Sequence, residues 1–456
     1  MAILLIVIPL LSAFISILFK KASTILLVIS AVTNIALLTF VEFGFVTIGG
    51  FDAPWGISLL FDRYAQIGLF LVNILILVIT LLNVKNYSKY SSVLLVALAG
   101  LNGLLLTNDL FNLFVFLEIS GIAAYLITSS NKKHVSTFHY LVLGSIGSSL
   151  YLLGLVILYS MFGTLNMIDM INKINLLNGV TSSLVLPFLL MFIGLGVEAK
   201  LLPFNSWVKG VLGKSNTLSG PMIASVYAGA IGMVFGRLLH NLFVFEGNLL
   251  TVVLVLLVGG TFLAEAMAFS SSKAKEILTF SSVAQASIVV LLFVKGIVIY
   301  AVYLIVANAI SKLVLFLTVN HAEKEVGSDE LDHLQGLFSN NLLVGISFTV
   351  ASLSVIGLPL FVGFQIKLGF LTELASLQEF AILAVLLVAS LIEGIYFVRM
   401  LIKLWYKEDK EVNVVFGLDF KVVFVVIALL LLALGTYTAP LKEFNNSIDV
   451  ISEVID

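Results

Sequence analysis

Long apolar runs separated by short polar clusters dominate the pattern of this chain. A membrane-spanning helix needs about 17–25 mostly apolar residues, and the runs divide at that length. The pattern predicts helices over 3–19, 24–45, 64–83, 92–107, 110–129, 138–161, 184–203, 221–243, 249–270, 276–294, 297–320, 341–358 running on to about 377, 380–404 and 420–438. The expected fold class is therefore an all-α polytopic membrane protein with about fourteen transmembrane helices. The expected organisation is 1–90 as three N-terminal helices, 91–243 as a first five-helix repeat, 249–410 as a second, and 411–456 as a last helix.

Composition agrees. Of 456 residues, 60% are hydrophobic and 11% charged, and the mean hydropathy is +1.16. Soluble domains carry roughly 25% charged residues. The net charge of −2 and the absence of long charged runs give no footprint for nucleic acid. No cysteine occurs, which removes disulfides and thiolate metal sites. The five histidines show no ligand-pair spacing within a helix, so no metal site is expected. No cluster ligands, nucleotide site or soluble-enzyme signature stand out, so no cofactor and no catalytic residue are expected in this chain. The apolar N-terminus lacks a basic stretch before it and reads as a first span, not a cleaved leader.

Lysine and arginine concentrate in cytoplasmic loops. Ends of odd-numbered helices carry fifteen of them, including Lys275, Lys407 and Lys410, against three on the other side, Lys173, Lys295 and Lys442. Both termini are thus expected outside a cell membrane. Six basic residues remain within or at the edges of spans: Arg63, Lys200, Arg237, Lys312, Lys367 and Arg399. Intramembrane charges are costly and mark ion or proton paths.

Lys200 stands in Gly194-Leu-Gly-Val-Glu-Ala-Lys200-Leu-Leu-Pro203, and Lys367 closes Gly357-Leu-Pro359-Leu-Phe-Val-Gly363-Phe-Gln-Ile-Lys367. Proline removes a backbone donor and clashes with the preceding turn, so helices 7 and 12 are expected to be broken. Paired broken helices in corresponding positions are the best sequence pointer to a transport site. The step from seven to twelve is odd, which implies inverted repeats. The bland alternative is a pair of ordinary proline kinks, with a snorkelling Lys200. Glu118 lies about nine residues beyond Asp109, roughly 13 Å along its helix, near the midplane. Lys312 is similarly deep, and Glu393 and Arg399 share the thirteenth helix. Glu265, close to a helix end, is expected to face water, and Asp62 and Arg63 to cap the third helix. A buried carboxylate facing a buried ammonium keeps both charged, whereas separation favours the neutral forms. Proton affinity can then switch with geometry.

These motifs resemble the antiporter-like subunits shared by complex I and Mrp-type sodium/proton antiporters, a module also found in membrane-bound hydrogenases and related sulfur reductases. The resemblance rests on Asn108-Asp-Leu-Phe-Asn-Leu-Phe-Val-Phe-Leu-Glu118, Lys200-Leu-Leu-Pro-Phe-Asn-Ser-Trp207, Ile277-Leu-Thr-Phe-Ser-Ser-Val-Ala-Gln285, Lys312-Leu-Val-Leu-Phe-Leu and the Gly357–Lys367 stretch, with Gly163-Thr164 after the sixth helix. The stretch Ala53-Pro-Trp-Gly-Ile-Ser-Leu-Leu-Phe-Asp62 is more similar to the D-type member of Mrp antiporters than to complex I. The resemblance implies that Glu118 and Lys200 form the ion-pair couple of a first half-channel, that Lys312 is the central lysine of a second, and that Lys367 ends it. Departures are Asn205 and Asn308 where the family often has His, Gly232 where it has Lys or His, and His139 where relatives often have Lys. Secondary candidates are His139, Arg237, Glu393 and Arg399.

The implied activity is movement of protons, or sodium/proton exchange, within a multisubunit antiporter or redox complex. The implied partners are other membrane subunits and the lipid bilayer, and the chain is expected to carry no lateral brace of its own past Asp456. A self-standing secondary transporter and a non-pumping membrane anchor of a redox complex are the alternatives.

Overall fold

The computed structural model of the chain describes residues 1–51, 54–176, 182–243, 245–406, 412 and 414–437. Ala53, Lys407, Lys410 and Lys442, used above in the motif and the charge count, and the end of the last expected span lie outside them. Among the described residues the fold is almost entirely helical: α1 (Leu4–Leu18), α2 (Ser23–Leu37), α3 (Arg63–Tyr87), α4 (Ser91–Leu106), α5 (Leu110–Thr128), α6 (His134–Phe162), α7 (Met167–Asn175), α8 (Ser182–Glu198), the short α9 (Val208–Val211) and α10 (Ser219–Pro221), a π-helical turn (Met222–Tyr227), and α11 (Ala228–Asn241). Then follow α12 (Gly247–Ser270), α13 (Ala274–Val294), α14 (Val298–Val326), α15 (Leu342–Ile356), α16 (Val362–Ser376), α17 (Phe380–Trp405) and α18 (Leu418–Thr436). Ten helical stretches among the described residues are long and apolar enough to cross a membrane, and three shorter apolar helices accompany them.

Two features depart from the sequence reading. The second helix stops at Leu37, and strand β1 (Gly44–Thr47) pairs antiparallel with β2 (Ser58–Phe61). Aromatic and β-branched residues between glycines favour extended backbone there. Asn166 Nδ2 donates to Ser58 Oγ at 2.8 Å, and Asn108 N donates to Ser58 O at 3.0 Å, which ties the hairpin to the start of α5. The second departure is the amphipathic α7, which forms a separate helix where apolar run length predicts none.

The described residues group into two compact units, Met1–Lys200 with Gly229–Val253, and Leu201–Ala228 with the residues from Leu254 on. In the first unit, Pro9 inside α1 has no N–H for the carbonyl of Leu5. Asn34 and Asn102 donate to that carbonyl instead, at 3.1 and 2.8 Å, and Asn73 links the two asparagines. Four helices are thereby pinned at one buried point, using side-chain amides as interhelical glue. Helices α6 and α8 approach so closely that a Cβ on Gly194 would collide with the carbonyl of Gly147.

In the second unit α13 and α14 form the interior. Their most apolar stretches are 83% buried, against 33% for α12 and for α17 and 28% for α18. Ser281, Ser282 and Gln285 on α13 and Ser311 and Lys312 on α14 are accordingly buried, whereas Lys324 and Glu325 at the end of α14 are exposed.

Candidate functional site

In the first unit, α8 ends at Glu198 because the chain turns at Lys200, whose backbone is left-handed (φ +67°). That conformation costs a non-glycine residue roughly 1–3 kcal/mol and is retained where the surroundings over-determine it. Lys200 is 2% exposed. Two residues earlier, Glu198 accepts a hydrogen bond from Tyr140 Oη at 3.3 Å, and Tyr125 stacks edge-on against Tyr140 at 4.7 Å. Glu198 and Glu118 line one small cavity of about 10 Å³ with Tyr125, Tyr151 and Ser148. It has room for roughly one water. Tyr151 donates to the carbonyl of Leu110 at 3.1 Å, which orients the wall.

The remaining candidates of this unit lie elsewhere. His139 is exposed on α6, although its neighbour Tyr140 points inward. Arg237 is buried on α11, donates to Asp62 Oδ1 at 2.9 Å and sits over the Tyr64 ring at 5.4 Å. Asp62 caps α3 through Ala65 N–H at 2.7 Å, as expected, and its pairing with Arg237 adds a buried contact that the sequence did not indicate. Arg63 is exposed and bonds Gln66.

In the second unit the break falls between α15 and α16. Gly357 (φ +82°) ends α15 in the left-handed conformation, Pro359 prevents continuation, and Leu360 is also left-handed (φ +80°). The break leaves the Ile356 carbonyl without a helical partner, and Lys367 Nζ donates to it at 2.9 Å. The same ammonium bonds Glu393 Oε2 at 2.6 Å, with Lys367 7% and Glu393 1% exposed. Gln285 Nε2 donates to Glu393 Oε1 at 2.8 Å, and Asn308 Nδ2 donates to Gln285 Oε1 at 3.1 Å. Asn308 thus joins a hydrogen-bonded row that it could not enter as a titrating group. Lys312 is wholly buried, donates to Ser281 Oγ at 2.6 Å and lies over the Phe397 ring at 5.7 Å.

Glu265 corrects the sequence reading. It is 1% exposed and does not face water. Leu257, Thr261, Ala264, Glu265 and Ala268 form the buried stripe of α12, while Val255 and Leu263 face outward. Its carboxyl lies within electrostatic reach of Glu393, Lys367 and Lys312 and beside the hydroxyl of Tyr396. Four buried charges, two of each sign, therefore share one interior region. Arg399, a turn and a half beyond Glu393, turns away, donating to the Ser271 carbonyl at 2.8 Å and stacking on Phe269 at 5.6 Å. Lys275, counted above as a loop lysine, is fully buried and bonds Glu323 and the Ser215 carbonyl. Burial follows from its place on the first turn of the interior helix α13.

The sequence missed Glu198, Glu265 and Lys275 as site residues. Glu198 had a signal, a second charge within the apolar run that ends at Lys200. Among the described residues no group of three metal-ligating side chains comes together.

A family model described as "NADH:quinone oxidoreductase/Mrp antiporter, TM" matches residues 107–393, which contain both breaks and all four charges of the second cluster. The chain belongs to that family. It is 30% identical over 373 residues to the N-type member of the NADH-quinone oxidoreductase of Desulforudis audaxviator, covering 78% of this chain and 74% of the relative. It is 26% identical over 432 residues to the D-type member of the Na(+)/H(+) antiporter of Alkalihalophilus pseudofirmus, covering 90% and 86%. Its fold superimposes with a TM-score of 0.92 on a chain of the membrane-bound sulfane sulfur reductase, an archaeal respiratory membrane complex, at 26% identity over 100% of this chain and 99% of that one. This antiporter-like subunit is thus similar to members of antiporters, of complex I and of a sulfur-reducing complex.

Proposed function

We propose that this antiporter-like subunit moves protons across a cell membrane as one member of a multisubunit complex, without forming or breaking covalent bonds beyond proton transfer. The observation that carries the reading is the interior cluster of Lys312, Lys367, Glu393 and Glu265, in a unit whose broken helix supplies a carbonyl for one of the lysines. In the first unit Glu118 and Glu198 line one cavity and Lys200 is buried two residues beyond Glu198. A lysine-centred path favours protons, because a sodium ion needs a cage of carbonyl and carboxylate oxygens and an ammonium offers none.

The finer architecture belongs to the same reading: fourteen transmembrane helices, two inverted five-helix repeats carrying the breaks, and both termini outside. The partners are other membrane subunits, as the names of the similar proteins suggest. Either an ion gradient or a redox reaction in those partners drives the transport.

The test is Lys200→Met in the native complex, reconstituted into vesicles with a pH-sensitive dye inside. Proton movement is expected to be abolished while the complex assembles as before. Unchanged transport in an assembled Lys200→Met complex overturns the reading. Gentle solubilisation with mass identification of the co-purifying chains then separates the two drives. Hydrophilic redox subunits indicate a redox pump, small membrane subunits alone an exchanger, and a solitary chain a self-standing transporter.

A further inference from the structure

Glu265 is the member of the second cluster whose hydrogen bonds are incomplete. Its Oε2 has no hydrogen-bond partner among the described residues, and neither has the hydroxyl of the neighbouring Tyr396. Burying a carboxylate oxygen with no partner is costly unless the group changes protonation state. Glu393, by contrast, accepts a hydrogen bond at each oxygen, from Lys367 and from Gln285. Lys312 is the complementary case, since its ammonium bonds a hydroxyl and lies 3.5 Å from the Leu278 carbonyl but makes no salt bridge to a carboxylate among the described residues. The charged groups facing Glu265 are Glu393 from α17, Lys367 from α16 and Lys312 from α14, with the Tyr396 phenol from α17.

Resting on the proton-transport reading above, we infer that Glu265 is a proton-carrying residue of the second unit, exchanging a proton with Lys312 while Lys367 stays on Glu393. In the step, the Lys312 ammonium gives up one proton and becomes a neutral amine, and Glu265 Oε2 takes one and becomes a carboxylic acid. Tyr396 can relay it by accepting one proton as it releases its own. Four charges become two, and the cluster is neutral before and after. A low-dielectric interior penalises a step that creates net charge, and this one creates none.

The experiment uses the native complex in vesicles, wild type and Glu265→Gln, read by dye-reported proton movement and by pH-difference infrared spectroscopy of the protonated-carboxyl C=O band. Loss of a positioned proton carrier is expected to slow transport by about 100-fold, the low end for general acid–base groups, and to remove one pH-dependent carboxyl band. Glu265→Asp, which keeps a carboxyl, is expected to retain the band at a shifted frequency and to restore part of the rate. Transport at the wild-type rate in Glu265→Gln, or an unshifted, undiminished band in either variant, overturns the inference. Wild-type vesicles that move no protons overturn the reading on which it rests, and the infrared arm still decides whether Glu265 takes up a proton.

Discussion

The two breaks use lysine in different ways. In the first unit Lys200 is itself the left-handed residue just past the end of α8, and two carboxylates, Glu118 and Glu198, look into one cavity with tyrosines around them. In the second unit the left-handed positions belong to Gly357 and Leu360, and Lys367 sits a turn into the next helix, reaching back to the Ile356 carbonyl while locked to Glu393. One arrangement places an ammonium at a left-handed turn and, two residues earlier, a carboxylate against water-sized space. The other places it in a closed hydrogen-bonded row. Similar broken helices thus support two electrostatic settings, so the cost of removing a charge should differ between them.

The largest effect is expected from Lys367→Met. It leaves Glu393 buried with Gln285 as its donor, and breaking a buried pair on one side costs about 3–5 kcal/mol. Denaturant or thermal unfolding of the purified protein should report that loss, and Lys367→Met combined with Glu393→Gln should recover most of it without restoring transport. In the first unit Glu198→Gln should cost less than about 1 kcal/mol, because an amide oxygen still accepts from Tyr140. Equal losses in the two units would erase the contrast.

A smaller effect tests the scaffold of the first unit. Asn102→Leu removes one donor from the Leu5 carbonyl and the acceptor of Asn73, and should destabilise by about 1–2 kcal/mol. The same carbonyl keeps Asn34, so the ladder weakens without collapsing. A loss as large as that of Lys367→Met would mean that the scaffold, not the charge cluster, limits stability.

Much of this was legible in the sequence. Apolar run length located the helices, and proline beside lysine located both breaks, because each follows from local chemistry. Glu393 was visible as a charge inside a span, but its pairing with Lys367 was not, since nothing local relates α16 to α17. Glu265 was misread because distance from a helix end says nothing about which face it occupies. The buried stripe of α12 decides that, and the stripe is set by neighbours far away in sequence. Lys275 was misread for the same reason, since a lysine at the start of a helix ordinarily faces solvent. The hairpin was missed because its aromatic residues extended an apolar run.

The smallest effect concerns the cap of the helix that carries Glu118. Asp109 accepts from the backbone N–H of Asn112 at 2.7 Å at the start of α5. Burial pushes its carboxyl above the usual aspartate range, and the backbone donors of Asn112 and Phe111 oppose this without cancelling it. A carboxyl whose value is raised by folding binds its proton more tightly in the folded state, so its contribution to stability grows as pH falls through the raised value towards the unfolded one. Asparagine caps a helix about as well as aspartate and does not titrate. Asp109→Asn should therefore lie within about 1 kcal/mol of wild type at neutral pH, and the wild type should gain on it as the solution is acidified. Unfolding midpoints of the two proteins measured across that acid range decide it. A wild type that instead loses ground on acidification would mean that the capping hydrogen bonds outweigh burial, and that α5 is held by the charged form of its cap.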